Sequence, residues 1–236
     1  MPHLIEIKDA YKIYNPGENE VHALDGVSLT VDRGEFLMIV GHSGSGKSTL
    51  MNMLGLLDIC TSGEYLIDGK NVSNLTDDEL SEIRNKEIGF IFQGFNLIPS
   101  LTAKGNVELP LIYRGVKKEE REKLSVDALR RVGLEKRMNH LPSQMSGGQQ
   151  QRVGIARAFV ARPDVVFADE PTGNLDSKTT IEVMDMIKSF ARKYNQTIVL
   201  VTHDPELAQY ADRIVTLVDG RIVSDTKGEH NEQENK

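Results

Sequence analysis

A single cysteine, Cys60, stands in 236 residues, so no disulfide can form within the chain, and a reducing cytoplasm is the expected compartment. Long hydrophobic runs are missing as well. No apolar stretch approaches the roughly 18 residues that a membrane-crossing helix needs, so no bilayer span is expected. Positive charge is in deficit, with 28 Lys and Arg against 35 Asp and Glu and a net charge of −7. Affinity for a nucleic-acid backbone comes mainly from neutralising its phosphates, so no nucleic-acid partner is expected. Met1 to Lys12 alternate apolar and polar residues and lack the charged-then-apolar layout of a secretory signal, so export is not expected. Asp225 to Lys236 lack any hydrophobic side chain and read as a solvated, disordered tail.

What remains is ordinary for a globular chain: 39% hydrophobic and 27% charged residues, enough for one sizeable core with a smaller lobe. Alternating β-type runs at Leu4 to Ile7 and Val27 to Val31, with Tyr65 to Ile67, suit an antiparallel edge sheet. Continuous apolar runs at Phe36 to Val40, Val165 to Ala168 and Ile198 to Val201 suit central strands covered on both faces, and Ile88 to Phe92 adds another strand. From Gln93 to about Arg162 the pattern turns helical, notably at Lys117 to Arg131 and Gly148 to Ala161. The fold class expected is α/β: a mainly parallel central sheet, an N-terminal antiparallel β subdomain and an inserted helical subdomain over 94–162. The core then takes 1–93 and 163–224.

The stretch Gly41-His42-Ser43-Gly44-Ser45-Gly46-Lys47-Ser48-Thr49 follows the apolar strand directly and matches the phosphate-binding pattern G-x-x-x-x-G-K-[ST]. Glycines let backbone N–H groups converge on phosphate oxygens, Lys47 reaches the terminal phosphates, and the Ser48 hydroxyl is left for Mg²⁺. A helix starting near Lys47 adds its positive dipole end. The competing reading, a glycine-rich turn that binds nothing, lacks a reason for the lysine.

Further along, Val165 to Ala168 ends in Asp169-Glu170. A phosphate-loop ATPase needs one carboxylate to hold Mg²⁺, here Asp169, and another to orient the attacking water, here Glu170. Acidic residues also follow strands as plain turn formers. Ser146-Gly147-Gly148-Gln149 precedes a helical segment, so Ser146 can cap it while bare N–H groups form a second anion site. Either that site is a mere cap, or it completes a nucleotide site on another molecule.

Taken in order, the phosphate loop, Gln93 after a strand, Ser146-Gly147-Gly148-Gln149, Asp169-Glu170, Asn174-Leu175-Asp176 and His203 after another strand resemble an ATP-binding cassette ATPase across residues 4 to 224. The resemblance implies that Tyr14 stacks on adenine, where a sheet-packing tyrosine is the plainer reading. It implies that Gln93 touches Mg²⁺, that Asp176 lies at a dimer contact and that His203 meets the γ-phosphate. It also implies that two copies close head to tail on two ATP molecules, so that Ser146, Gly147 and Gly148 serve the nucleotide held by the partner's Lys47.

Within that family, Phe92 to Pro99 with Leu101-Thr102-Ala103 and Asn106-Val107 is similar to the branch of macrolide exporters, lipoprotein-releasing complexes and cell-division permeases. The apolar Phe95, Leu97 and Ile98 are either a docking surface or packing beneath the helical lobe. Departures from the common pattern are His42, Met145 and Gly105. The resemblance implies an ATPase subunit on the cytoplasmic face of the cell membrane, driving a separate integral-membrane permease, with or without an adaptor. Regulation of a non-transporting cell-division partner and a soluble assembly role are the alternatives.

Overall fold

The computed structural model describes residues 3–17 and 19–228. In chain order the strands are β1 (Ile5–Tyr14), β2 (Val21–Val31), β3 (Phe36–Val40), β4 (Ser62–Ile67), β5 (Lys70–Asn71), β6 (Ile88–Phe92), β7 (Val165–Asp169), β8 (Thr197–Thr202), β9 (Arg213–Val218) and β10 (Arg221–Lys227). The α-helices are α1 (Lys47–Leu54), α2 (Asp77–Glu87), α3 (Ala103–Tyr113), α4 (Lys118–Arg131), α5 (Gly147–Val160) and α6 (Ser177–Tyr194). These elements form two compact units, Met1–Ser81 with Thr197–Lys236, and Glu82–Gln196.

In the first unit, β2, β1, β4 and β5 make an antiparallel sheet in that order. The apolar strand β3 pairs in parallel with β8 on one side and β9 on the other. Leu37, Met38 and Ile39 of β3 and Ile198, Val199 and Leu200 of β8 are all fully buried, as expected of unbroken apolar strands covered on both faces. The register sets Val40 opposite both Thr202 and Thr216, so the ends of three parallel strands share one edge.

Two hairpins went unread in the sequence. Asp68-Gly69 joins β4 to β5 and Asp219-Gly220 joins β9 to β10, all four residues at positive φ. Asp-Gly is the dipeptide that such a primed turn requires, because both central residues must be left-handed.

The tail beginning at Asp225 needs correction. Asp225 to Lys227 belong to β10, in register with Val215 to Arg213 of β9, and residues 229–236 lie outside the described residues. Hydropathy missed this because the segment is held by charge. The Arg213 guanidinium grips both Asp225 carboxylate oxygens at 2.6 Å and holds that carboxyl below its usual range. A carboxyl depressed in the folded state stabilises the fold above its unfolded pKa and loses that contribution as pH falls through the folded one. Asp225 is partly exposed, so screening limits the effect to about 1 kcal/mol or less. Urea midpoints followed from pH 7 down to pH 3 should therefore drop less steeply in Arg213→Gln than in the parent.

In the second unit, β6 and β7 pair in parallel, Phe92 opposite Asp169. From Gln93 to Arg162 the described residues form helices and turns and no strand. Arg114 closes the end of α3 by donating to the carbonyls of Asn85, Lys86 and Ala161, which ties together the carboxyl ends of α2 and α5. Helix α6 buries Val183, Met184, Ile187, Phe190 and Ala191, a stripe of helical period, and stops at Asn195 with φ 50°.

Candidate functional site

The phosphate-loop residues bridge β3 and α1. Gly46 caps α1 at φ 99°, and the loop is closed by Ser45 N–H donating to His42 O at 3.2 Å and Gly220 N–H donating to Ser45 O at 2.9 Å. Its glycines have different duties. A methyl group on Gly41 would stand 2.3 Å from the Leu217 carbonyl oxygen, and one on Gly46 would stand 2.4 Å from the Ala23 carbonyl oxygen. Gly44, at φ 82°, faces nothing within 4 Å. Two glycines thus admit neighbouring backbone, and the third leaves the mouth of the loop open.

We therefore expect Gly46→Ala to lower stability by about 2 kcal/mol or more, since strain at positive φ adds to a backbone clash. Gly44→Ala should cost about 1 kcal/mol. Chemical denaturation of the two variants checks the ranking.

Lys47 is buried and lies back across the loop, donating at 2.8 Å to the carbonyls of Gly41 and His42. An ammonium has three donors, so one is left for an anion at the α1 N-terminus. The Ser48 hydroxyl is exposed and has no hydrogen-bond partner among the described residues, and hydroxyl oxygen is the hard donor type that Mg²⁺ takes. Ser43 is exposed, whereas the fully buried Ser45 hydroxyl has no partner among the described residues.

His203 follows Thr202, the residue paired with Val40, so parallel register puts it alongside the first loop glycine at the carboxyl ends of β3 and β8. That edge is where ligands bind in open α/β sheets.

Tyr14 ends β1 and is 38% exposed, so it is not a tyrosine buried in the sheet. Its hydroxyl donates to Asp58 at 2.8 Å, and the Lys12 ammonium lies 5.0 Å from the ring centre. Burial and then Asp58 raise the Tyr14 pKa. Burial alone would raise the Asp58 carboxyl, but hydrogen bonds from Lys12 and Tyr14 outweigh it and hold it low. Asp58 and Lys12 escaped the sequence reading, because a lone acid in a loop carries no signal there.

The second unit holds the remaining residues. Phe92 and Asp169 are register partners, so Gln93 and Asp169 share the carboxyl edge of β6 and β7. The Gln93 side-chain amide lies on Gly173, where an added methyl group would stand 2.6 Å from its nitrogen, and its backbone carbonyl accepts from Asn174 at 3.1 Å. Glu170 sits at φ 44°, a conformation that costs a non-glycine residue about 1 kcal/mol or more and that persists where the surroundings enforce it. Gly173 N–H donating to Glu170 O at 3.0 Å closes the turn.

Ser146 caps α5 as expected. Its hydroxyl accepts from Gln149 N–H at 3.3 Å, and the Gln149 side chain accepts from Ser146 N–H at 3.1 Å, a reciprocal capping box. Gly147 and Gly148 are the first two residues of α5, whose N–H groups have no intrahelical partner. Gly148 is pressed on α6, where a methyl group would meet the Thr179 methyl at 2.8 Å.

Asp176 caps α6, accepting from Thr179 N–H at 3.0 Å and from the Thr179 hydroxyl at 2.7 Å, and those bonds lower its pKa. Phe95 and Asn96 are left-handed at φ 62° and 46°, and Arg157 of α5 donates to both carbonyls, at 3.0 Å and 2.5 Å. The Phe95 ring packs on Gly147, while Ile98 stays 39% exposed.

Among the described residues no helix is long and apolar enough to cross a membrane. Residues 24–173 match the ABC transporter family. The ABC transporter ATP-binding protein YknY of Bacillus subtilis is 48% identical over 96% of this chain and 98% of its own length. The macrolide export ATP-binding/permease protein MacB of Chlorobaculum tepidum is 51% identical over 95% of this chain and 34% of its own, so the chain spans about a third of such relatives. Among solved structures, the dimeric post-hydrolysis state of the ATP-binding cassette MJ0796 bound to ADP and Pi has a TM-score of 0.88 at 46% identity, covering 94% of this chain and 98% of that one. The chain belongs to the ABC transporter family, as one of its ATP-binding cassettes.

Proposed function

We propose that this cassette hydrolyses ATP as a head-to-tail pair of identical copies and thereby drives a membrane permease from the cytoplasmic face. One observation carries the reading. Among the described residues two helix N-termini are shaped for phosphate, α1 with its lysine and α5 with a capping serine and two bare glycines, and of these two the first has a lysine with which to hold a nucleotide. The second is then free to serve a nucleotide on another copy. The solved MJ0796 cassette is dimeric in a post-hydrolysis state bound to ADP and Pi, which supports pairing of two copies. The macrolide-export relatives join ATP-binding to permease in their names, and YknY, matched over nearly its whole length, supports a permease on a separate polypeptide.

In this reading the α1 N-terminus and Lys47 bind the β- and γ-phosphates, Tyr14 takes the adenine, and His203 meets the γ-phosphate. Glu170 accepts a proton from the attacking water. Ser48, Asp169 and Gln93 would hold Mg²⁺, which when bound neutralises charge on the phosphate oxygens. Ser146, Gly147 and Gly148 of the second copy present N–H groups to the same γ-phosphate, and Asp176 stands at the contact between copies. ATP binds the closed pair better than the open one, so it shifts the equilibrium by that difference in affinity, and loss of the γ-phosphate reopens the pair.

The experiment separates binding from pairing. In a Glu170→Gln background, Ser146→Arg should keep ATP affinity within about threefold while abolishing the ATP-dependent dimer seen by analytical ultracentrifugation. A dimer that survives Ser146→Arg refutes the shared site. Copurification with a membrane protein tests the permease.

A further inference from the structure

Gln151 is fully buried, although glutamine is a polar residue of the helix surface by habit. Its side-chain N–H donates to the Pro171 carbonyl at 2.6 Å, and its Oε1 has no partner among the described residues. A buried amide left half-satisfied is a poor stabiliser, since an apolar side chain of the same shape would serve the core at least as well. Such a group calls for another explanation.

The carbonyl it holds belongs to the residue that follows Glu170. Proline has no N–H and a fixed φ, so Pro171 itself can be held by a backbone hydrogen bond only through its carbonyl. Gripping it sets the plane of the turn in which Glu170 is kept at φ 44°.

Gln151 also lies five residues beyond Ser146, about one and a half turns into the helix whose tip carries the glycines. Steps of three along α5 lead from it to Gly154, whose added methyl group would lie 3.8 Å from the Phe95 carbonyl, and to Arg157, which holds that carbonyl and the next. One stripe of α5 therefore grips both the Glu170 turn and the loop after Gln93.

We infer that Gln151 is a positioning residue for ATP hydrolysis: through the Pro171 carbonyl it sets the Glu170 carboxylate and ties it to the helix that meets the partner's nucleotide. Engagement of the α5 tip by the γ-phosphate on the other copy is thereby passed to the base of this copy, which couples the two sites of the pair. The inference rests on the proposed roles of Glu170 and of the α5 tip.

Gln151→Met keeps the length and burial of the side chain and removes the donor. The expected result is a fall of about tenfold in kcat with the KM for ATP within about twofold. In single turnovers, Gln151→Met added to Glu170→Gln should give no further loss, because the residue acts through the carboxylate that is already gone. Gln151→Glu supplies a second readout: its buried carboxyl donates while protonated and stops donating when ionised, so kcat should be near normal at acid pH and fall on an added limb as pH rises. A kcat within twofold of the parent in Gln151→Met, a loss that multiplies with that of Glu170→Gln, or a parental pH profile in Gln151→Glu overturns the inference. Parental turnover in Glu170→Gln alone is a different failure, that of the base assignment.

Discussion

Glu170→Gln should bind ATP with near-parental affinity and hydrolyse it about 10² to 10⁴ times more slowly, the range that a general base contributes. The amide is isosteric with the carboxylate, so the left-handed turn at Glu170 and the Gly173 hydrogen bond that closes it are kept. What the amide cannot do is accept a proton from water at neutral pH. With ATP bound and not consumed, the closed pair is the state of lowest free energy, and it should accumulate as a dimer visible by light scattering. ADP should not produce it, because the γ-phosphate is what the second copy's α5 tip would hold. A Glu170→Gln protein that stays monomeric in saturating ATP leaves the shared-site reading without support. One that dimerises but turns over at the parental rate removes Glu170 as the base.

Lys47→Ala should fail one step earlier, at nucleotide binding. The lysine contributes a charge-assisted hydrogen bond of about 1.5 to 3 kcal/mol to a phosphate, so the dissociation constant for ATP should rise from about tenfold to more than a hundredfold. The variant also strands the Gly41 and His42 carbonyls that Lys47 satisfies. Calorimetric titration reads the affinity, and a melting curve of the ATP-free protein reads the damage to the loop. Loss of ATP affinity with a melting temperature within a few degrees of the parent is the expected pattern. Unchanged affinity would mean that the loop does not bind phosphate through this lysine. The two variants therefore separate binding from chemistry: one binds and cannot cleave, the other cannot bind.

Local chemistry explains what was legible in the chain. Strands β3 and β6 were read with their observed limits, because unbroken apolar runs between polar turns carry their own signal. The Ser146 cap was equally local, a serine three residues before a glutamine at a helix start. Strands β9 and β10 were missed although Asp219-Gly220 marked the hairpin between them, and Asp225 to Lys227 were read as tail although they belong to β10. Within that hairpin β9 buries Val215 and Leu217, whereas the end of β10 is held by the Arg213–Asp225 ion pair and shows hydropathy no apolar face. Asp176 was read through resemblance alone, and its capping of α6 shows a duty within the cassette as well.

Which residues carry phosphate chemistry was settled by order and spacing along the chain: a glycine-rich turn with a lysine after an apolar strand, and a carboxylate pair after another, have their meaning within a few residues of backbone. Which of them become neighbours was decided by the tertiary fold. Parallel pairing sets Thr202 opposite Val40, one residue before His203 and Gly41, packing lays Gln93 on Gly173, and one face of α5 reaches both Pro171 and Phe95. Those contacts join residues from 20 to more than 150 positions apart, and no periodicity in a chain encodes the partner of a side chain at such range.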